Sequence, residues 1–154
     1  MRTSFGMNDK KDNTYDCLKL ENQLCFPLYA ASREIIKRYR PFLDELELTY
    51  TQYIAMMVFW EQGSINVKEL GKKLFLDSGT LTPVLKHLES KSYITRTRSP
   101  EDERVLIAAI TPEGEALKEK AASIPEKMAC CINLSQEEAL SLHTLLHKLL
   151  GDIR

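Results

Sequence analysis

Four cysteines carry the most reactive chemistry in this 154-residue chain: Cys17, Cys25 and the adjacent pair Cys130 and Cys131. The polar start of the chain shows no signal-peptide pattern, so a cytoplasmic setting is expected. In that setting thiols are reduced or redox-active rather than structural bridges. The residues alone leave two readings open for Cys25. It is either an inert buried hydrophobe or a thiolate able to attack an electrophile. Periodicity separates the adjacent pair. Leu117, Ala121, Ile124, Met128 and Cys131 are spaced as one helical stripe, which puts Cys131 in a core. Cys130 then points about 100° away and is freer to react, unless Pro125 rotates the last turn. Cys17 has no assigned role. His143 and His147 stand i, i+4, but no acid or cysteine has matching spacing. Neither a metal nor a cofactor is expected.

The elements that must position these thiols are mostly helical. Val67, Leu70 and Leu74 form one apolar stripe, and after a break at Leu76, Asp77 and Ser78 a second follows in Leu81, Val84, Leu85 and Leu88. Two short helices joined by a tight turn make a helix-turn-helix. The face opposite the second stripe carries Gly79, Thr82, Pro83, Lys86 and Ser90, thin and polar enough to enter a major groove. Ser78 and Thr80 open that helix. Residues 93–98 then alternate like a strand ending in Arg96 and Arg98, which with Arg104, and with Ser78, Thr80 and Lys86 of the helix, are expected to contact DNA and its phosphates. A turn at residues 99–103 and a second strand from Arg104 to Ile110 complete a basic hairpin. The fold class expected is mainly α with a small β-hairpin wing, a winged helix-turn-helix reading double-stranded DNA.

Charge supports this locally. The whole chain carries a net charge of -1, yet residues 64–98 hold seven cations against three anions, or 7 - 3 = +4. Residues 112–154 hold five cations and seven anions, so the compensating acid lies elsewhere. No apolar run approaches the roughly 18 residues of a membrane span.

The flanks divide the chain further. Residues 1–17 are expected to be disordered, with Met7 an alternative start, and residues 18–154 to form one winged-helix domain. Its DNA-binding lobe covers about 49–111, and its dimerisation helices about 18–48 and 112–154. A long helix is expected over residues 18–39, stopped by Pro41. Thr49 with Gln52 and Ser135 with Glu138 read as capping boxes, and Asn66 and Thr111 as further caps. Trp60, Met56 and Met57 read as core. The terminal helices, including the stripe Leu142, Leu146, Leu149 and Ile153, are expected to pair with a second copy. A twofold homodimer would place its reading helices ~10 base pairs apart on a pseudo-palindromic operator.

Two segments carry a resemblance. Asp102-Glu103-Arg104, followed by Ile110-Thr111-Pro112-Glu113-Gly114, resembles the wing signature of the MarR family of bacterial repressors, with Ile110 where a leucine is usual. Residues 20–26 with Tyr29, Tyr39 and Tyr50, and residues 76–83, are similar to the organic-hydroperoxide-sensing, OhrR-type branch. The resemblance spans nearly the whole chain from Leu18. It implies that Cys25 is the sensing thiol and that Tyr39 and Tyr50 of the partner subunit hydrogen-bond it, with Tyr29 beside the site. It further implies that Cys130, near the end of the fifth helix, is the resolving thiol of a two-cysteine subgroup, and that Asp102 and Arg104 shape the wing. Pro27 departs from the pattern and is expected to kink or restart the sensing helix.

The implied chemistry needs a stabilised thiolate. Helpers on offer are the two phenols, the cations Arg33 and Lys37, and a positive helix end if a helix starts at Pro27. An apolar surround of Leu24, Phe26 and Leu28 would favour organic hydroperoxides over hydrogen peroxide. A sulfenic acid would form and be trapped as an intersubunit disulfide with Cys130. Two alternatives remain: a repressor released by a small phenolic ligand, and a thiol peroxidase. The second has no use for a basic reading head, so an enzyme is not expected.

Overall fold

The computed structural model describes residues 15–152. The expectations for residues 1–14, Met7 included, and for Ile153 lie outside the described residues. Asp16–Leu18 and Leu20–Asn22 are single 3-10 turns. Seven α-helices follow among the described residues: α1 (Cys25–Asp44), α2 (Tyr50–Gln62), α3 (Val67–Leu74), α4 (Ser78–Ser90), α5 (Pro112–Ala121), α6 (Ile124–Cys130) and α7 (Gln136–Asp152). None of them is long and apolar enough to cross a membrane.

The core is built around α2. Ala55, Met56 and Phe59 are fully buried, and Tyr53 and Val58 nearly so, because this helix has apolar residues on most sides. Leu70 of α3 and Leu81, Leu85 and Leu88 of α4 close over it. Leu117, Ala121, Ile124 and Met128 seal the other side. The expected capping box holds: the Gln52 amide donates to Thr49 Oγ1 at 3.3 Å and the Thr49 amide to Gln52 Oε1 at 2.9 Å. Asn66, Thr111 and the Ser135–Glu138 pair also cap as expected.

Three expectations are corrected. The first helix does not run from residue 18 to Pro41; it starts at Cys25 and passes through Pro41 to Asp44. Proline inside a helix costs ~3 kcal/mol. Burial of Leu43, and of Leu46 and Leu48 just beyond it, holds the last turn in place against that cost. The helical stripe ending at Cys131 is also broken, since α5 stops at Ala121 and α6 begins at Ile124 with Pro125 in its first turn. Both pieces still bury the same stripe, and Cys130 ends the sixth helix, not the fifth. Met57 is 46 % exposed, so only Met56 of that pair is core.

The wing is a three-stranded sheet, not a two-stranded hairpin. Strands β1 (Ser64–Asn66), β2 (Ile94–Arg98) and β3 (Leu106–Ile110) are antiparallel in the order β1-β3-β2. Ser64 pairs with Ala109, and Ile94 with Ile110. Three residues between Gly63 and the first helix of the motif are too short to announce a strand. Gly63 (φ +73°) turns the chain into it.

The sheet meets the helices at one close approach. A Cβ on Gly114 would lie 2.1 Å from the Tyr93 carbonyl oxygen. Beside it, Trp60 Nε1 donates to the Gly114 carbonyl at 2.9 Å. Gly114→Ala must push α5 off the start of β2 and should destabilise the protein by at least ~1–3 kcal/mol. Urea unfolding followed by circular dichroism measures this; an alanine variant as stable as the parent would contradict the packing.

Candidate nucleic-acid interface and cysteine site

Asp77 starts the reading helix. Its carboxylate accepts from the Thr80 amide and the Thr80 hydroxyl, both at 2.9 Å, and these bonds hold its carboxyl below the usual carboxylate range. Helix α4 then exposes Ser78, Gly79, Thr80, Thr82, Pro83, Lys86 and Ser90 on one side, while Leu81, Val84, Leu85 and Leu88 are buried on the other. Thr82 donates its hydroxyl to the Ser78 carbonyl at 2.6 Å. Pro83 has no amide to give the Gly79 carbonyl, which therefore lacks its regular helical donor. Lys86 is exposed with no ion pair or hydrogen bond among the described residues.

The wing arginines separate by function. Arg96 forks onto Glu89 of α4, with Nε at 3.1 Å and Nη2 at 2.5 Å from one carboxylate oxygen. Arg98 donates to the Glu103 carbonyl across the wing tip. Arg104 is exposed, and only its backbone is engaged, its amide donating to Asp102 Oδ1 at 2.9 Å. Asp102 also accepts the Val105 amide on its own carbonyl at 2.9 Å, so it closes the wing turn. A groove of about 1090 Å³ opens between α3, the start of α4 and the wing base, with Lys68, Ser78, Thr82 and Arg104 on its walls.

All four cysteines are free thiols. Cys25 is exposed in the first turn of α1, where no side chain caps the helix. Pro27 also sits in that first turn, where an amide would lack an intrahelical partner anyway. The helix starts beside it rather than kinking at it, which puts Cys25 at the positive helix end. Tyr29, one turn on, accepts from Arg33 Nη1 at 2.7 Å. The expected cationic help does not reach the thiol. Arg33 lies ~12 Å along the helix from Cys25; its guanidinium is held over the Tyr29 ring, and Lys37 pairs with Glu34 at 2.5 Å. Leu24 and Phe26 are exposed, 57 % and 41 %, rather than enclosing Cys25.

Tyr39 and Tyr50 come together with ring centroids 4.9 Å apart, and Tyr53 stacks 5.9 Å from Tyr39. Burial pushes all three phenols above their ordinary range, so they remain protonated donors at neutral pH. Neither the Tyr39 nor the Tyr50 hydroxyl has a hydrogen-bond partner among the described residues. Fourteen residues of helix separate Cys25 from Tyr39, about 21 Å, so these phenols cannot reach the thiol of their own chain. The exposed Cys130 is at the Tyr39 end instead, because Arg38 donates to the Cys131 carbonyl. Cys131 caps the end of α6 and is half-buried rather than in the core, where the stripe was expected to put it. The sequence reading missed Glu89, Tyr53 and Arg38. An acid in the last turn of the reading helix was the legible signal for the first.

Residues 36–121 match the family described as transcriptional regulator SarA/Rot. The organic hydroperoxide resistance transcriptional regulator of Bacillus subtilis (strain 168) is 49 % identical over 139 residues, covering 90 % of this chain and 95 % of the relative. The HTH-type transcriptional regulator SarZ of Staphylococcus aureus (strain USA300) is 47 % identical over 128 residues, covering 83 % and 84 %. Reduced AbfR bound to DNA superposes with a TM-score of 0.73 at 31 % identity, covering 92 % of this chain and 100 % of that one. A disulfide-formed AbfR structure, also 31 % identical, gives a TM-score of 0.63 and covers 89 % and 94 %. These relatives are regulators, and the thiol peroxidase reading falls away. The chain belongs to the SarA/Rot family of MarR-type winged-helix transcriptional regulators, and within it resembles the organic-hydroperoxide-sensing branch.

Proposed function

We propose that two copies of this chain form a repressor that binds a pseudo-palindromic operator and leaves it when organic hydroperoxide oxidises Cys25. Residues 49–111 would be the DNA-binding lobe, and the helices on either side of it the dimer layer. The carrying observation is the division of the sensor between the two ends of α1. Cys25 is at one end, while the unpartnered phenols of Tyr39 and Tyr50 stand with Cys130 roughly 20 Å away at the other. A twofold pairing that lays α1 against its copy supplies each thiol with the partner's phenols and Cys130. The exposed Leu24 just before α1, Phe26, Tyr29 and Ile36 within it, and Leu142, Leu145 and Leu149 of α7, offer the apolar surface such pairing would bury.

The chemistry follows from that arrangement. The Cys25 thiolate attacks the terminal peroxide oxygen; the oxygen–oxygen bond breaks, an alcohol leaves after taking up a proton, and Cys25 becomes a sulfenic acid. The partner's Cys130 thiol then displaces water to form the disulfide. A bridge needs the two Cα atoms within ~7 Å, and drawing the helices together would respace the two α4 helices away from one DNA turn. DNA binding by AbfR, and its disulfide form, support this reading by similarity.

Gel shifts on the protein's own upstream DNA test it. Cys25→Ser should bind the duplex like the parent when reduced, yet stay bound after cumene hydroperoxide. Tyr39→Phe or Tyr50→Phe should slow the release without abolishing it. A Cys25→Ser protein that still leaves DNA on oxidation would sink the proposal.

On a non-reducing gel, peroxide should give a dimer band with the parent and with Cys131→Ser. Cys130→Ser should stay monomeric and accumulate oxidised Cys25. The reverse pattern would make Cys131 the resolving thiol.

For the DNA face, Lys86→Ala and Arg104→Ala should each weaken binding. Each lost phosphate contact should flatten the log–log salt dependence by ~0.9. Parental affinity for both variants at every salt concentration would move the interface elsewhere.

A further inference from the structure

Glu89 stands where two forces oppose a negative charge. It lies in the last turn of α4, at the negative end of the helix dipole. It also belongs to the segment whose surplus of cations is assigned to phosphates, where a carboxylate repels DNA. Both costs are offset by one partner. Arg96 sits on β2 opposite Ala108, which is fully buried, and alternates with Ile94, also buried. The face of β2 that holds Ile94 therefore presents the Arg96 guanidinium to α4. There it forks onto Glu89 with two N–H donors, and its side chain is only 19 % exposed. A forked arginine fixes orientation as well as distance.

We infer that Glu89 is a positioning residue for DNA recognition: through Arg96 it locks wing strand β2 to the last turn of the reading helix. This acid strengthens operator binding, although it lies on the DNA-facing side. Without the clamp, the wing can swing away from the angle at which Arg104 and Lys86 engage one duplex together. Arg96, expected from its type to touch phosphate, instead acts within the protein. The inference rests on the reading that α4 and the wing grip the same DNA.

The test is a double-mutant cycle on the full-length, thiol-reduced protein, titrated by fluorescence anisotropy against a duplex from its own upstream region. Binding is measured over a range of salt for the parent, Glu89→Gln, Arg96→Gln and the double variant. Glu89→Gln should weaken binding about three- to tenfold, and the double variant should lose no more than either single one. The salt slope of Glu89→Gln should match the parent, because no phosphate contact is removed. A merely structural role would lower the melting temperature and weaken specific and non-specific duplexes alike. Loss of the clamp should instead spare non-specific binding and remove hydroxyl-radical protection only at the duplex flanks under the wings. Unchanged or tighter binding by Glu89→Gln overturns the proposal. So does a loss in Arg96→Gln that flattens the slope by ~0.9 whether or not Glu89 is present. Should Glu89→Gln prove unfolded, Arg96→Lys replaces it, keeping the cation but not the fork. Weaker binding at the parental slope then upholds the clamp, and parental affinity overturns it. Lys86→Ala and Arg104→Ala run alongside: if they too bind like the parent, the DNA face itself is misassigned.

Discussion

Helix α2 has almost no polar face, and a helix of that kind must be surrounded. Its fully buried Ala55, Met56 and Phe59 draw in α3 and α4 on one side and α5 and α6 on the other. The end of α1 is tied down by the same demand, through Leu43, Leu46 and Leu48. Because α4 contributes four buried side chains to this core, its opposite face is held outward with little freedom to roll. The rigidity of the reading head therefore comes from burial beneath it rather than from the polar residues on its surface.

Around that core, polar contacts set angles rather than supply stability. Exposed ion pairs such as Lys91 with Glu47 contribute little on their own. Their geometry still matters, since Lys91 ends α4 and Glu47 lies in the turn after α1. The more enclosed Arg96–Glu89 pair joins the wing to the same helix end. Trp60 ties α2 to α5 through its hydrogen bond to Gly114, and the close contact of Gly114 with Tyr93, which only glycine permits, sets α5 against the start of β2. Cations that look equivalent in the sequence thus divide into those that hold the head together and those left facing solvent.

The thiol chemistry is arranged by distance. A helix of 20 residues keeps Cys25 and the phenols of Tyr39 and Tyr50 apart within one chain. Burial keeps Tyr39 and Tyr50 protonated and therefore useful as donors to an anion. The exposed leucines of α7 and the apolar side chains at the start of α1 have no cover among the described residues. The proposed pairing and the proposed sensing consequently make the same demand, a second copy laid along α1.

Much of this was legible beforehand, where local chemistry decides structure. The caps at Thr49, Asn66, Thr111 and Ser135, the stripes of α3 and α4, and the wing signature at Asp102 and Arg104 act over a few residues. Short-range hydrogen bonds and periodicity are sufficient to read them. The family resemblance rested on such motifs and named the cysteines and tyrosines. The sequence by itself therefore determined the fold class and the two helices of the motif, and it nominated the cysteines and tyrosines. Tertiary structure alone decided the rest. Pro41 is carried inside α1 because buried leucines beyond it outweigh a lost bond. Ser64–Asn66 became a strand because β3 offered an edge forty residues away in sequence. Arg96, Arg98, Arg33 and Lys37 were assigned to DNA or thiolate by charge alone. Within the chain Arg96 bonds to Glu89, Arg98 to the Glu103 carbonyl, Arg33 to Tyr29 and Lys37 to Glu34, because a cation goes to the partner that geometry brings within reach.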